Sequence, residues 1–200
     1  MKPARYLESA ATLSPDGRHR YELWRRWAGG PVLNVIGLNP SSADADRDDP
    51  TTRRCVGLAR RAGFGGLVLT NLFGLRATDP AQLRQGARPT GVDNDLWIER
   101  SACSADSVVV AWGRVPRRGG GPARPREAID DELGHRAANV LRLLDGAGVR
   151  PFCFGINRDG SPRHPLYLPA STVLRPYRPR LAPGTSRPAG GPAALRAGDA

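Results

Sequence analysis

Four apolar runs in this chain each lead to residues able to do chemistry. Val32-Leu33-Asn34-Val35-Ile36 runs into Gly37-Leu38-Asn39-Pro40-Ser41, and Gly66-Leu67-Val68-Leu69-Thr70 into Asn71-Leu72-Phe73. Val108-Val109-Val110-Ala111 runs into Trp112-Gly113, and Pro151-Phe152-Cys153-Phe154 into Gly155, with Ser161-Pro162-Arg163-His164-Pro165 close behind. An asparagine amide carries donor and acceptor together, and histidine exchanges protons near neutral pH. Such groups suit a polar heterocycle and proton transfer at its edge. Ligands of open α/β sheets bind at the carboxyl ends of the strands, so these ends predict one site assembled from most of the chain.

The elements that must position them can be read in order. Tyr6 to Leu13 and His19 to Trp27 flank Ser14-Pro15-Asp16-Gly17, whose Pro, Asp and Gly favour a tight reversal, so residues 5–27 read as a β-hairpin. A continuous apolar strand follows at 32–38, suited to a sheet covered on both faces. Asp49-Pro50 opens a helix, with Asp49 as cap and Pro50 at the first helical position, running to about Ala62 and stopping at Gly63. The next strand is expected at 66–71. Thr78-Asp79-Pro80 opens a second helix by the same rule. A helix at about 93–104 leads into a strand at 107–112, and the longest helix spans about Arg126 to Leu144 on the spacing of Leu133, Ala137, Val140, Leu141 and Leu144. A last strand is expected at 151–155. Residues 114–125 read as a mobile basic loop and residues 178–200 as a disordered Pro/Gly/Ala/Arg tail. Strand–helix alternation after a leading hairpin predicts a single α/β domain over residues 1–177, a three-layer sandwich with a mainly parallel central sheet.

Composition sets wider bounds. The 200 residues fit one domain. The formal net charge is +11, and Lys2 is the only lysine. An arginine surplus fits a polyanionic or phosphate-bearing partner; it equally fits an Arg-rich proteome encoded by GC-rich DNA. Cys55, Cys103 and Cys153 are far apart and form no C-x-x-C pair, which leaves a zinc ribbon or iron–sulfur site without support. Free thiols and the lack of an apolar signal core predict a cytoplasmic protein, and no run approaches a membrane span. No metal is expected, and a monomer is.

Gly37-Leu38-Asn39-Pro40-Ser41 resembles the first motif of the uracil-DNA glycosylase superfamily. Leu67-Val68-Leu69-Thr70-Asn71 with Leu75-Arg76-Ala77, then Val109-Val110-Ala111-Trp112-Gly113, then Arg163-His164-Pro165-Leu166 resemble its later motifs in order. The chain departs from that superfamily in three places. Ser41 stands for a Gly, no aromatic follows the first motif closely (Phe64 and Phe73 are nearest), and Leu166-Tyr167-Leu168 replaces a second Ser-Pro. A closer similarity, over about residues 5–177, is to the bacterial domain-of-unknown-function family 1643. It rests on Asn39-Pro40-Ser41-Ser42-Ala43-Asp44, Asp48-Asp49-Pro50-Thr51, Arg53-Arg54-Cys55, Asn71-Leu72-Phe73, Arg76-Ala77-Thr78-Asp79-Pro80, Asn94-Asp95, Ala111-Trp112-Gly113 and Pro162-Arg163-His164-Pro165-Leu166-Tyr167-Leu168. It implies no established activity.

The glycosylase resemblance implies a uracil-DNA-glycosylase-like fold acting on a nucleobase-containing substrate, most simply by cofactor-free hydrolysis of an N-glycosidic bond. That reaction builds positive charge on the sugar and negative charge on the departing base, so it needs donors aimed at the base and a positioned water. His164 is expected to donate to the base, Asn71 to read its edge, Asn39 to orient the water, and Asp44 or Asp46 to polarise it. Ser41, Phe73, Arg53, Arg54, Arg76 and Arg163 complete the expected binding set, the arginines for phosphate or carboxylate. Plainer roles stand beside these. Asn39 can shape a turn, Asn71 can satisfy buried backbone, the acids at 44, 46 and 48 can form a solvated loop, and Asp49 and Asp79 can be helix caps alone. Two other functions remain open: a non-catalytic nucleic-acid-binding module gripping phosphates through the basic loop and tail, and a hydrolase or transferase for phosphorylated metabolites using Arg53, Arg54 and His164.

Overall fold

A computed structural model describes residues 6–78, 83, 88–114 and 127–178, with the side chains of 127–134 outside that description. The expected second helix after Thr78, most of the basic loop 114–126 and the tail after Arg178 lie outside the described residues.

Seven strands form one sheet in the order β1-β2-β4-β3-β5-β6-β7. The chain enters through the hairpin of β1 (Glu8–Leu13) and β2 (Arg20–Arg26). Gly17 closes its turn at φ +68, with its N–H bonded to the Ser14 carbonyl at 2.8 Å. Strand β3 (Val32–Gly37), helix α1 (Pro50–Arg61) and strand β4 (Gly66–Asn71) follow. Helix α2 (Asn94–Ser104), strand β5 (Ser107–Val110), helix α3 (Glu127–Gly146) and the short strands β6 (Phe152–Cys153) and β7 (Arg175–Pro176) complete it. A 3-10 turn at Pro165–Tyr167 lies between the last two.

The sheet is mixed, which corrects the expectation of a mainly parallel one. β4, β3, β5 and β6 run parallel. β2 meets β4, β1 meets β2, and β7 meets β6 antiparallel. The hairpin does not stand apart from the parallel unit but extends it at one edge. β7, which pattern did not foresee, extends it at the other edge by two residues.

Alternation along the strands builds a core on each face. Leu33, Val35, Leu67, Leu69, Val109 and Ala111 face Cys55, Val56, Leu58 and Ala59 of α1. Ile36, Val108, Val110 and Trp112 face Ile98 and Ala102 of α2 and Val140 and Leu144 of α3. Both cores are closed by residues fully withdrawn from water, each worth roughly 1.5–3 kcal/mol for a large apolar side chain. Helix α1 starts where the sequence places it. The Asp49 carboxylate accepts the Thr52 N–H at 2.7 Å, and Pro50 occupies the first helical position, where its missing N–H has no consequence.

The loop from β3 to α1 is held from below by β2. Arg25 shares the inward face with Leu23 and is 1% exposed. Its Nε meets Asp48 Oδ1 at 2.9 Å, Nη1 donates to the Trp24 carbonyl at 2.8 Å, and Nη2 donates to the Asp44 carbonyl at 2.5 Å. Tyr6 lies under the guanidinium, with 5.3 Å from Cζ to the ring centre, and donates its hydroxyl to the other oxygen of Asp48. Removing one member of a buried ion pair leaves an uncompensated charge. Arg25→Ala is therefore expected to lower unfolding free energy by about 3–5 kcal/mol in urea titration, the cost typical of breaking such a pair.

Candidate functional site

The parallel strands supply a crevice by their connections. The chain leaves β3 toward α1 on one face and leaves β5 toward α3 on the other, which is the arrangement that opens a cleft at adjacent carboxyl ends. A cavity opens there on the α1 face. Val35 and Gly37 of β3, Leu69 and Asn71 of β4, Ala111 after β5 and Cys55 of α1 line its depth. Leu38, Asn39 and Ser41 of the β3–α1 loop, Asp49, Thr51 and Thr52 at the start of α1, Arg20 of β2, and His164 and Pro165 complete the wall. Counted together with the open solvent at its mouth, the space is about 440 Å³.

Two glycines make this wall possible. Gly37 is the register partner of Asn71 in the parallel pair. A Cβ on Gly37 would stand 2.7 Å from Asn71 Oδ1, so any other residue displaces that amide. Gly113 has φ +78, and a Cβ there would stand 2.8 Å from the Cβ of His164. The Trp-Gly pair thus has two separate jobs. Trp112 is buried and packs edge-on against Tyr177 at 6.2 Å, while Gly113 lets the histidine loop approach.

Hydrogen bonding defines what each polar side chain has left to offer. Asn39 Nδ2 donates to the Pro40 carbonyl at 2.9 Å and the Ala77 carbonyl at 2.7 Å. Both acceptors are carbonyls, so the amide orientation is fixed and Oδ1 is the end that remains. Asn71 is 6% exposed, and its Nδ2 is buried with no partner among the described residues. Its backbone is locked: Asn94 Nδ2 donates to the carbonyls of Asn71 and Leu72 at 3.0 Å each, and Arg136 Nε donates to Leu72 at 2.6 Å. His164 Nδ1 accepts the Leu166 N–H at 3.3 Å, capping the 3-10 turn. In the neutral ring the proton therefore sits on Nε2, which becomes a donor. Burial pushes the His164 pKa below its ordinary value, with Asp49 opposing, so the ring is neutral at pH 7.

Two cavity residues were not expected there. Arg20 is 2% exposed, donates from Nη1 to the Ala43 carbonyl at 2.6 Å, and has a buried Nε without a partner among the described residues. Burial pulls its pKa down to about 10, and Asp49 acts against that, so it stays charged. Its inward placement on a strand beside Tyr21 was the available signal. Asp49 was read as a cap, which it is, and it also forms wall. Cys55 lies at the cavity floor, where burial pushes its thiol up to about 12, out of the range of a nucleophile at neutral pH.

Asn39, Ser41, Asn71 and His164 share this wall; the other expected site residues do not line it. Asp44 turns back on its own loop, accepting the Asp46 and Arg47 N–H groups at 3.0 and 2.9 Å, and those bonds hold its pKa below the usual carboxylate range. Phe73 is core, and Phe64 packs against core. Arg53 bonds the Asp48 carbonyl at 2.5 Å, and Arg76 reaches the Gly17 carbonyl at 3.4 Å. Arg54 has a buried Nε outside the cavity, and the stem of Arg163 lies over Gly155. Arg53 and Arg76 are thus bonded to loop carbonyls away from the cavity. No group of three or more His, Cys, Asp or Glu among the described residues is placed to hold a metal, and no helix there is long and apolar enough to cross a membrane.

Residues 20–166 match the family model described as protein of unknown function (DUF1643). The chain belongs to that family. No curated protein and no solved structure matches it. The DUF1643 match runs from the buried Arg20 to the turn that follows His164, and so spans every cavity residue.

Two expectations follow. Gly113→Ala forces a left-handed residue with a Cβ against His164 and should cost about 1–3 kcal/mol, with a shifted His164 ring signal in NMR spectra as the second readout. His164 also links stability to pH. Its folded pKa lies below 6.5, so below that pH the unfolded chain binds more protons than the folded one, and stability is lost as pH falls from 6.5 toward the folded value. Urea unfolding of wild type and His164→Gln between about pH 8 and about pH 5 should show that part of the decline in wild type only.

Proposed function

We propose that the cavity binds a nucleobase-containing substrate and that the protein hydrolyses its N-glycosidic bond without a cofactor. We further read the fold as uracil-DNA-glycosylase-like, on the strength of its parallel centre and the order of its polar strand ends. The observation that carries the reading is the shared wall of Asn39, Asn71 and His164, which are distant in sequence and drawn from three different strand ends and loops. A neutral imidazole with its proton on Nε2 is a donor suited to the carbonyl oxygen of a departing base, where negative charge develops. The Asn71 amide supplies a donor and an acceptor for the base edge, and the Asn39 carbonyl oxygen is an acceptor for water. The floor of Val35, Leu69 and Ala111 gives a planar heterocycle apolar contact.

A phosphorylated substrate is a poorer fit. Arg53, Arg54, Arg76 and Arg163 lie off the wall, and the one cation in it among the described residues, Arg20, is set against the Asp49 carboxylate, which repels a dianion. A nucleic-acid module built on the basic loop and tail would use residues outside those described.

The test is release of free base from pyrimidine and purine nucleosides and from single- and double-stranded oligonucleotides carrying damaged or mismatched bases, followed by chromatography. Wild type is expected to release base from at least one of these. Asn71→Ala and His164→Ala should each lower kcat by about 10²–10³, as loss of one transition-state donor does, with Tm little changed. No release from any substrate, together with no nucleobase binding in ligand-observed NMR, rejects the reading.

A further inference from the structure

The acidic stretch between β3 and α1 carries Asp44, Asp46, Asp48 and Asp49, and three of these are ruled out as participants in cavity chemistry by where they stand. Asp44 is folded onto its own loop, and Asp46 does not reach the wall. Asp48 has one oxygen on Arg25 and the other on Tyr6. Asp49 alone of the four lines the cavity.

Asp49 is also more than its capping role requires. It is 6% exposed, and the cap uses one oxygen, Oδ1, on the Thr52 N–H at 2.7 Å. Ser, Thr or Asn would cap as well. Oδ2 has no hydrogen-bond partner and Asp49 no direct ion pair among the described residues. Asp49 lines the cavity, and Oδ2 is the oxygen that the cap leaves unused. Its charge is supported there by the helix N-terminus and by Arg20 across the wall, and it acts in turn on His164. Water-sized molecules have about 50 Å³ in which their centres can range, and one water needs only about 10–15 Å³.

We propose that Asp49 is the general base of this site: its free carboxylate oxygen takes a proton from the water that attacks the sugar. The proposal rests on the N-glycosidase reading. The bond formed is water oxygen to the anomeric carbon, and the bond broken is that carbon to the base nitrogen, whose electron pair leaves with the base. His164 Nε2–H stabilises the departing anion, which then takes a proton from solvent. Asp49 returns the proton it received to solvent. Helix initiation and water activation thus share one side chain, one oxygen for each.

The test uses Asp49→Asn and Asp49→Ser, both of which keep a cap, with Asp44→Asn as the control carboxylate. Both Asp49 variants should bind the base with wild-type affinity in NMR titration and lose kcat by at least about 10²-fold, the contribution typical of a general base, with KM little changed. Asp44→Asn should retain turnover. Either Asp49 variant, folded and with full kcat, overturns the proposal and leaves the N-glycosidase reading standing. Loss of base binding in step with kcat in both variants assigns Asp49 to binding or structure and overturns it likewise. A wild type that neither binds nor releases base overturns both.

Discussion

The cavity depends on one buried charge arrangement, the grip of β2 on the loop that connects β3 to α1. That loop has little apolar content of its own, and nothing in its composition would hold it to the sheet. Arg25, withdrawn from water, must be met by acceptors. Asp48 and the carbonyls of Trp24 and Asp44 meet it. Arg20, five residues earlier on the same strand, does the same for the Ala43 carbonyl. The bonds that offset the desolvation of two guanidiniums thereby order the segment that carries Ser41 and ends in Asp49. An apolar pair of similar size would pack well, but it would leave those carbonyls unpaired and the loop free to choose another path.

With the loop set, the remaining wall follows from sheet geometry. Gly37 and Asn71 are opposite each other in a parallel pair, so the absence of a side chain on one strand is what admits the amide on the next. Asn94 and Arg136, one from each helix of the far face, hold the carbonyls just beyond Asn71 and prevent that strand end from fraying. The two faces of the sheet are therefore not independent: α2 and α3 steady a strand end whose side chain serves the α1 face.

Much of this is legible in the sequence. The hairpin turn, the Asp49-Pro50 start and the apolar strands follow from local rules that act over a few residues. The rule that ligands meet strand carboxyl ends placed Asn39, Asn71 and His164 on common ground. What was not legible depends on pairing between distant segments. No local pattern says that β2 lies against β4, so the mixed character of the sheet was hidden, and with it the inward course of Arg20 among 30 cationic residues. Asp44 was favoured for its closeness to the Asn-Pro motif, but the loop bends it onto its own backbone. Asp49 was read through the element it begins, which is all that a helix signal can report. That Asp49 also lines a cavity depends on β2, β4 and the His164 loop arriving from elsewhere.

The cavity wall draws on residues from Arg20 to Pro165. During synthesis the hairpin, β3, α1 and β4 emerge first and can pair, yet the wall still lacks the side closed by His164. The cavity is therefore whole only in a chain that has folded as far as Pro165.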